Sequence, residues 1–231
     1  MAFIVFLDTI LVPLSLSLTI GYHAYLCHRL KHKPAATTIG LNMLKRRSWL
    51  QDYNQGNDKK GMLAVQSLRN TLMASILTAT ITVIIIVSLA ALTNNAFNAA
   101  SHLFHGPLLG LHSGRLIVLK LGCAAIFLLA SFMCSSMAIA NLIDANFLVN
   151  AVGADDFSAS PPPSHTQTVL ERGFKLAVVG NRALCMAFPV LLWMIGPVAV
   201  FVSSVALVWA LHGLDFVGDF SAIAGKTSLQ P

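Results

Sequence analysis

Four stretches of the chain stay apolar for twenty residues or more, at about 3–26, 71–92, 116–140 and 184–211. A hydrocarbon core about 30 Å thick takes roughly 20 apolar residues wound as helix, so each stretch predicts one membrane span. The second holds the β-branched run Ile84, Ile85, Ile86, Val87, which in water would suit a buried strand. In lipid the backbone must satisfy its own polar groups, and helix is the expectation. The first stretch lacks the basic start and small-residue cleavage site of a secretory signal and reads as a retained helix. Pro34 should end it, because proline removes a donor and crowds the preceding turn.

The polar stretches between spans, 27–70 and 141–183, predict shorter helices. Residues 37–51 alternate Ile39, Leu41, Met43, Leu44, Trp49 and Leu50 with Lys45, Arg46 and Arg47, the pattern of a helix lying along a membrane surface. Asn57 or Asp58 can cap a helix running through Leu63, Val65 and Leu68 into the second span. In the later stretch Pro161, Pro162 and Pro163 predict an extended segment. A short amphipathic helix should follow from Thr166 or Thr168 through Leu170, Phe174 and Val178, with a break at Gly180-Asn181. The expected fold is an all-α integral membrane protein. It forms one domain over 1–231, with four transmembrane helices and short amphipathic helices in two loops.

Composition agrees with the pattern. The 231 residues are 56% hydrophobic and 10% charged, with a mean hydropathy of +0.73, whereas soluble domains carry about 25% charged residues. The charges also orient the bundle. Residues 27–70 hold Arg29, Lys31, Lys33, Lys45, Arg46, Arg47, Lys59, Lys60 and Arg69, and the later loop adds Arg172, Lys175 and Arg182. Positive residues favour the cytosolic side. Both loops are therefore expected in the cytosol, and both termini outside or in a lumen. The basic residues Lys45, Arg46, Arg47, Lys59 and Lys60 then form a patch for anionic headgroups. Endoplasmic reticulum and plasma membrane both fit.

Ionisable groups inside spans are costly, which makes them functional candidates. Asp8 and Lys120 fall at similar depth from the outer ends of the first and third spans, and predict an interhelical ion pair. Arg115 and Asp215 can form a second. Alternatively Asp8, Asp215 and Asp219 face a common axis as acidic rings that attract cations. Helical spacing puts Ser15, Thr19 and Tyr22 on the stripe of Asp8, and aligns Thr71, Ser75, Thr78 and Thr82 on the second span. Hydroxyl stripes line wet pathways, and they also occur at dry helix contacts.

Metal chemistry ranks lower. His23 with Cys27, and His28 with His32, have helical i,i+4 spacing, yet each supplies only two ligands and nothing nearby completes a set. His102, His105 and His112 lie in the outer loop around Gly106-Pro107, where histidine can sense pH. Cys123, Cys134 and Cys185 read as small apolar residues within spans. Phosphate-binding glycine loops, a nucleophile elbow and a zinc-binding His-Glu helix are all lacking. No metal or cofactor site is expected, and no catalytic residues.

The string Leu7-Asp8-Thr9-Ile10-Leu11-Val12-Pro13-Leu14, followed by Tyr22-His23 and His28-Arg29, resembles the start of the plant membrane family named domain of unknown function 599. The likeness continues in Thr38-Ile39-Gly40-Leu41-Asn42, Arg46-Arg47-Ser48-Trp49, Asn57-Asp58-Lys59-Lys60 and Leu63-Ala64-Val65-Gln66-Ser67-Leu68-Arg69-Asn70. It ends in Gly180-Asn181-Arg182, Leu192-Trp193-Met194-Ile195-Gly196-Pro197 and Leu214-Asp215-Phe216, so it covers nearly the whole chain. The resemblance implies a plant multi-span membrane protein and carries no catalytic residues.

The leading expectation is a homo-oligomeric channel, cation-permeable and suited to Ca²⁺, because carboxylate oxygens are hard ligands. Asp8, Asp215 and Asp219 would stand at its outer mouth, with Ser15, Thr19 and Thr71–Thr82 as lining. The alternative is a non-conducting scaffold acting through the basic cytosolic loops. An enzyme ranks last, since the topology puts Asp and His groups on opposite faces. The expected partners are the bilayer, anionic headgroups and identical subunits, with no nucleic acid.

Overall fold

The computed structural model describes residues 2–53, 58–103, 112–151 and 163–216, with side chains described over 8–48, 65–95, 118–149 and 165–216. Six α-helices follow one another: α1 (Ala2–His32), α2 (Thr38–Tyr53), α3 (Asp58–Leu103), α4 (His112–Ala151), α5 (Pro163–Leu192) and α6 (Pro197–Asp215). There is no sheet among the described residues, only an isolated antiparallel bridge between Thr37 and Phe216. Five segments are long and apolar enough to cross a membrane: Asp8–His32, Val65–Asn95, Val118–Val149, His165–Leu192 and Pro197–Asp215.

The fourth expected span is corrected. Residues 184–211 are not one helix, because α5 ends at Leu192 and α6 begins at Pro197. Between them Trp193, Met194 and Ile195 make tightened bonds to Val190, Leu191 and Leu192 at 3.0–3.2 Å. Gly196 then precedes proline, which disfavours helix at the residue before it and suits the first position of a new one. The break expected at Gly180-Asn181 is also absent. A helical glycine costs only about 1 kcal/mol, and here it admits a close neighbour. A Cβ at Gly180 would lie 2.5 Å from Ser135 Oγ and 3.2 Å from the Ser131 carbonyl. The segment expected as a short loop helix is the first half of α5. Arg172, Lys175 and Arg182 accordingly belong to that long helix.

The chain divides into two compact units, residues 50–196 and residues 1–49 with 197–231. In the first, α3, α4 and α5 pack together. The buried positions of α4 are Leu121, Ala124, Leu128, Ser131, Ser135, Ala138, Leu142, Ala145 and Val149, alternating steps of three and four. Leu170, Gly173, Gly180, Leu184 and Ala187 keep the same rhythm on α5. A 3.5-residue repeat keeps one seam facing a partner over many turns. The most apolar part joins Leu128, Leu184 and Ala187, covered by Ile85, Ile86, Leu89 and Phe127. At about 1.5 Å per residue α3 and α4 are about 69 and 60 Å long, so both outrun a bilayer core.

In the second unit α1 packs on α6. Pro34 stops α1 as expected, and Pro34–Ala36 form a single 3-10 turn. Thr37 is extended and fully buried; its Oγ accepts from the Gly40 amide at 3.2 Å and starts α2. Gly40 has to be glycine, because a Cβ would lie 2.7–2.8 Å from the Pro34 backbone. Buried positions run Val12, Ser15, Thr19, Tyr22, Leu26 on α1 and Val200, Ser204, Leu211, Asp215 on α6. Tyr22 meets Asp215 near the C-terminal end of α6. The buried positions of both helices lie mainly on the N-terminal side of that contact, which only parallel helices can superimpose.

Candidate functional site

Two polar clusters stand out, one in each unit. In the α3–α5 bundle, Ser131 Oγ donates to the Gly180 carbonyl at 2.7 Å, and Thr82 Oγ1 lies 3.3 Å from Ser131 Oγ. Thr82 also donates to the Thr78 carbonyl at 2.7 Å. Each hydroxyl has one proton and spends it on a carbonyl, so the Thr82–Ser131 contact is a hydrogen bond only when one carbonyl is released. This places positions 82, 131 and 180 at one level of three helices.

The expected hydroxyl stripes are thereby located. Thr71, Ser75, Thr78 and Thr82 each donate to the carbonyl four residues earlier, at 2.7–3.1 Å. Ser15 donates to the Val12 carbonyl and Thr19 to that of Ser15, both at 2.8 Å. Ser15, Thr19, Ser75 and Thr82 are buried. Within each unit these groups lie in packed seams, with their protons already given to the backbone.

At the C-terminal end of α6, Asp215 Oδ2 accepts from Tyr22 Oη, on the second half of α1, at 2.5 Å, and Asp215 is only 1% exposed. A charge-assisted bond of this kind is short and strong. Asp8 lies fourteen residues before Tyr22, about 21 Å back along α1. Asp8 and Asp215 thus mark opposite ends of the parallel pair, which corrects the expectation of one outer acidic cluster. Asp219 lies outside the described residues.

Below Tyr22 sits a second layer. The Arg29 guanidinium carbon is 5.6 Å from the Tyr25 ring centroid and 5.9 Å from that of Phe216. The Phe216 ring also meets Tyr25 at 5.8 Å and His212 at 4.7 Å. Arg29 Nε is buried with no hydrogen-bond partner, and so is His23 Nε2. The His23 Nδ1 is 2.8 Å from the Thr19 carbonyl, so it is the nitrogen that carries the proton.

Lys120 ends on Trp193. Its Nζ donates to the Trp193 carbonyl at 3.2 Å and lies 5.1 Å from the indole centroid. A cation there satisfies a carbonyl just past the C-terminus of α5, where the helix leaves acceptors open. Asp8 belongs to the other unit. The side chain of Arg115 lies outside the described residues, and Asp215 bonds Tyr22.

Of the basic patch, Lys45 and Arg47 are exposed and Arg46 is half-buried. Burial pushes the Arg46 guanidinium below the usual arginine range. The side chains of Lys59 and Lys60 lie outside the described residues, as do those of His102, His105 and His112. Among the described residues no three His, Cys, Asp or Glu side chains converge on one point. His28 and His32 stack with centroids 4.4 Å apart.

The family described as a protein of unknown function, DUF599, matches residues 10–220. The chain belongs to this family. No curated protein and no solved structure matches it. In this DUF599 protein Arg29 was expected only as one of many basic residues, Gly180 as a helix break, and Trp193 had no expected role. Gly180 was legible as a seam position, lying four residues before Leu184 and seven before Ala187. The Phe216 partner of Arg29 and the Lys120 partner of Trp193 are 187 and 73 residues away and leave no local trace.

Proposed function

We propose that the protein is a five-crossing membrane scaffold that works through a basic cytosolic face. Two parallel helices in contact support the crossing number. The chain leaves α1 on one side and enters α6 on the other, so an odd number of crossings separates them, and α3, α4 and α5 provide three. Positive-inside charge then puts the N-terminus outside and 27–70, the α4–α5 connection and the C-terminus in the cytosol, in the endoplasmic reticulum or the plasma membrane. The observation that carries the reading is the state of the hydroxyls. Ser15, Thr19, Ser75 and Thr82 are buried and give their protons to backbone carbonyls, while Lys31, Lys33, Lys45, Arg47 and Arg69 are exposed. The reading assigns the protein no reaction of its own, and gives it anionic headgroups and cytosolic proteins as partners.

The test is purified protein in vesicles and planar bilayers. Neutralising Lys45, Arg46 and Arg47 together should abolish preference for anionic lipid, and the wild type should carry no current. A reproducible current would sink the scaffold.

A homo-oligomeric cation channel is the second reading, and one observation favours it. Asn181 is exposed eleven residues before the end of α5, about 16 Å into the helix. Lipid penalises an exposed amide at that depth, and neighbouring protomers around an axis would cover it. Asp8 would then be the outer carboxylate that draws Ca²⁺, and Asp8→Asn should shift cation selectivity.

A further inference from the structure

We infer that Arg29, which lies against the Tyr25 and Phe216 rings, binds the phosphate of an anionic lipid headgroup at the cytosolic end of α1. The inference rests on the scaffold reading and sharpens it from a diffuse basic face to one site.

Three observations meet there. From residue 9 to residue 51 the chain has no Asp or Glu, while it carries Arg29, Lys31, Lys33, Lys45, Arg46 and Arg47. Such a stretch has charge complementarity to phosphate and to little else in a cell membrane. Helix α1 is 31 residues, about 46 Å long, against a core of about 30 Å. Its last turn therefore reaches the headgroup layer.

The third observation is the arginine itself. Two rings, one on α1 and one just past the end of α6, have centroids 5.8 Å apart and both lie within 6 Å of the guanidinium carbon. Cation–π attraction to both rings biases where the guanidinium sits before any ligand arrives, so part of the side-chain freedom is already lost. Arg29 is half-buried, and its Nε finds no acceptor within the protein, which is costly for a buried donor. The terminal nitrogens of the guanidinium are the ones left to donate to two phosphate oxygens.

A lipid fits better than a soluble phosphate. Tyr25 is 46% exposed, ring surface for the glycerol and first methylenes of a lipid. Free phosphate would use none of it.

The experiment uses the full chain reconstituted in phosphatidylcholine vesicles, with spin-labelled phosphatidic acid or spin-labelled phosphatidylcholine as the probe. The fraction of label immobilised by protein gives the relative association of each lipid. Phosphatidic acid should associate at least about threefold more strongly, a modest preference for one charge-assisted site. Arg29→Gln should remove most of it, and Arg29→Lys, which keeps the charge and loses the planar fork, about half. Excess inorganic phosphate should leave the preference intact; competition by it would reassign the site to a soluble anion and overturn the lipid. Should Arg29→Gln not fold, Arg29→Lys carries the test, and full retention there counts against the site. If wild type shows no preference, both the site and the scaffold reading fall. If only the Lys45, Arg46 and Arg47 triple substitution removes it, the Arg29 site falls and the scaffold reading stands.

Discussion

The α4–α5 contact and the α1–α6 contact use the same three-and-four spacing of buried positions and close it in opposite ways. On α4 and α5 the centre of the seam is small: Ser131, Ser135, Ala138 and Gly180 bring two backbones together, and the hydroxyl of Ser131 bonds a main-chain carbonyl. Along α1 and α6 the seam ends in a large pair, Tyr22 and Asp215, with a guanidinium and an aromatic ring below it. The first kind of contact depends on the absence of side-chain volume, the second on one charged bond. A stripe of hydroxyls therefore has no fixed meaning until the facing residues are known.

Substitutions separate the two kinds. The largest effect belongs to the backbone contact. Gly180→Leu puts a branched side chain where even a Cβ meets Ser135 Oγ at 2.5 Å. It should cost about 3 kcal/mol or more, or prevent assembly outright, read as loss of monodisperse protein in detergent. Next comes Tyr22→Phe, which strips a donor from a buried carboxylate. A hydrogen bond to a charged group is worth about 1.5–3 kcal/mol, and the loss should appear as a lower midpoint in thermal unfolding. Ser131→Ala should cost about 1 kcal/mol by the same measurement, in line with interhelical hydrogen bonds in membrane proteins. Thr82→Val should cost less than about 0.5 kcal/mol, because its proton already goes to Thr78. If Thr82→Val proved worse than Ser131→Ala, the proton assignment across the three helices would have to be reversed.

The helices themselves were legible because apolar length is a local property. Pro34 ending α1 was read correctly for the same reason; of the two expected caps of the next helix, Asn57 lies outside the described residues and Asp58 is the first residue of α3. The split of 184–211 was not read, although its signal, Gly196-Pro197, is plain. An apolar run hides a turn when hydropathy alone is averaged. Glycine misled in the other direction at Gly180, where its small volume serves packing. The candidate site was only partly visible: Asp215, Ser15 and Thr19 were singled out, but their partners come from distant sequence. Asp8 and Asp215 fell together only under an even number of crossings, so the error in the fourth span carried through to the acidic cluster.

The cytosolic assignment of the basic face and the separation of Asp8 from Asp215 both depend on α1 and α6 running parallel. That is tested by adding an Asn-linked glycosylation acceptor on a short flexible linker to either end of the full chain expressed in endoplasmic reticulum membranes. The account predicts that the N-terminal acceptor is glycosylated and the C-terminal one is not. Glycosylation at both ends would return the chain to an even number of crossings and contradict it.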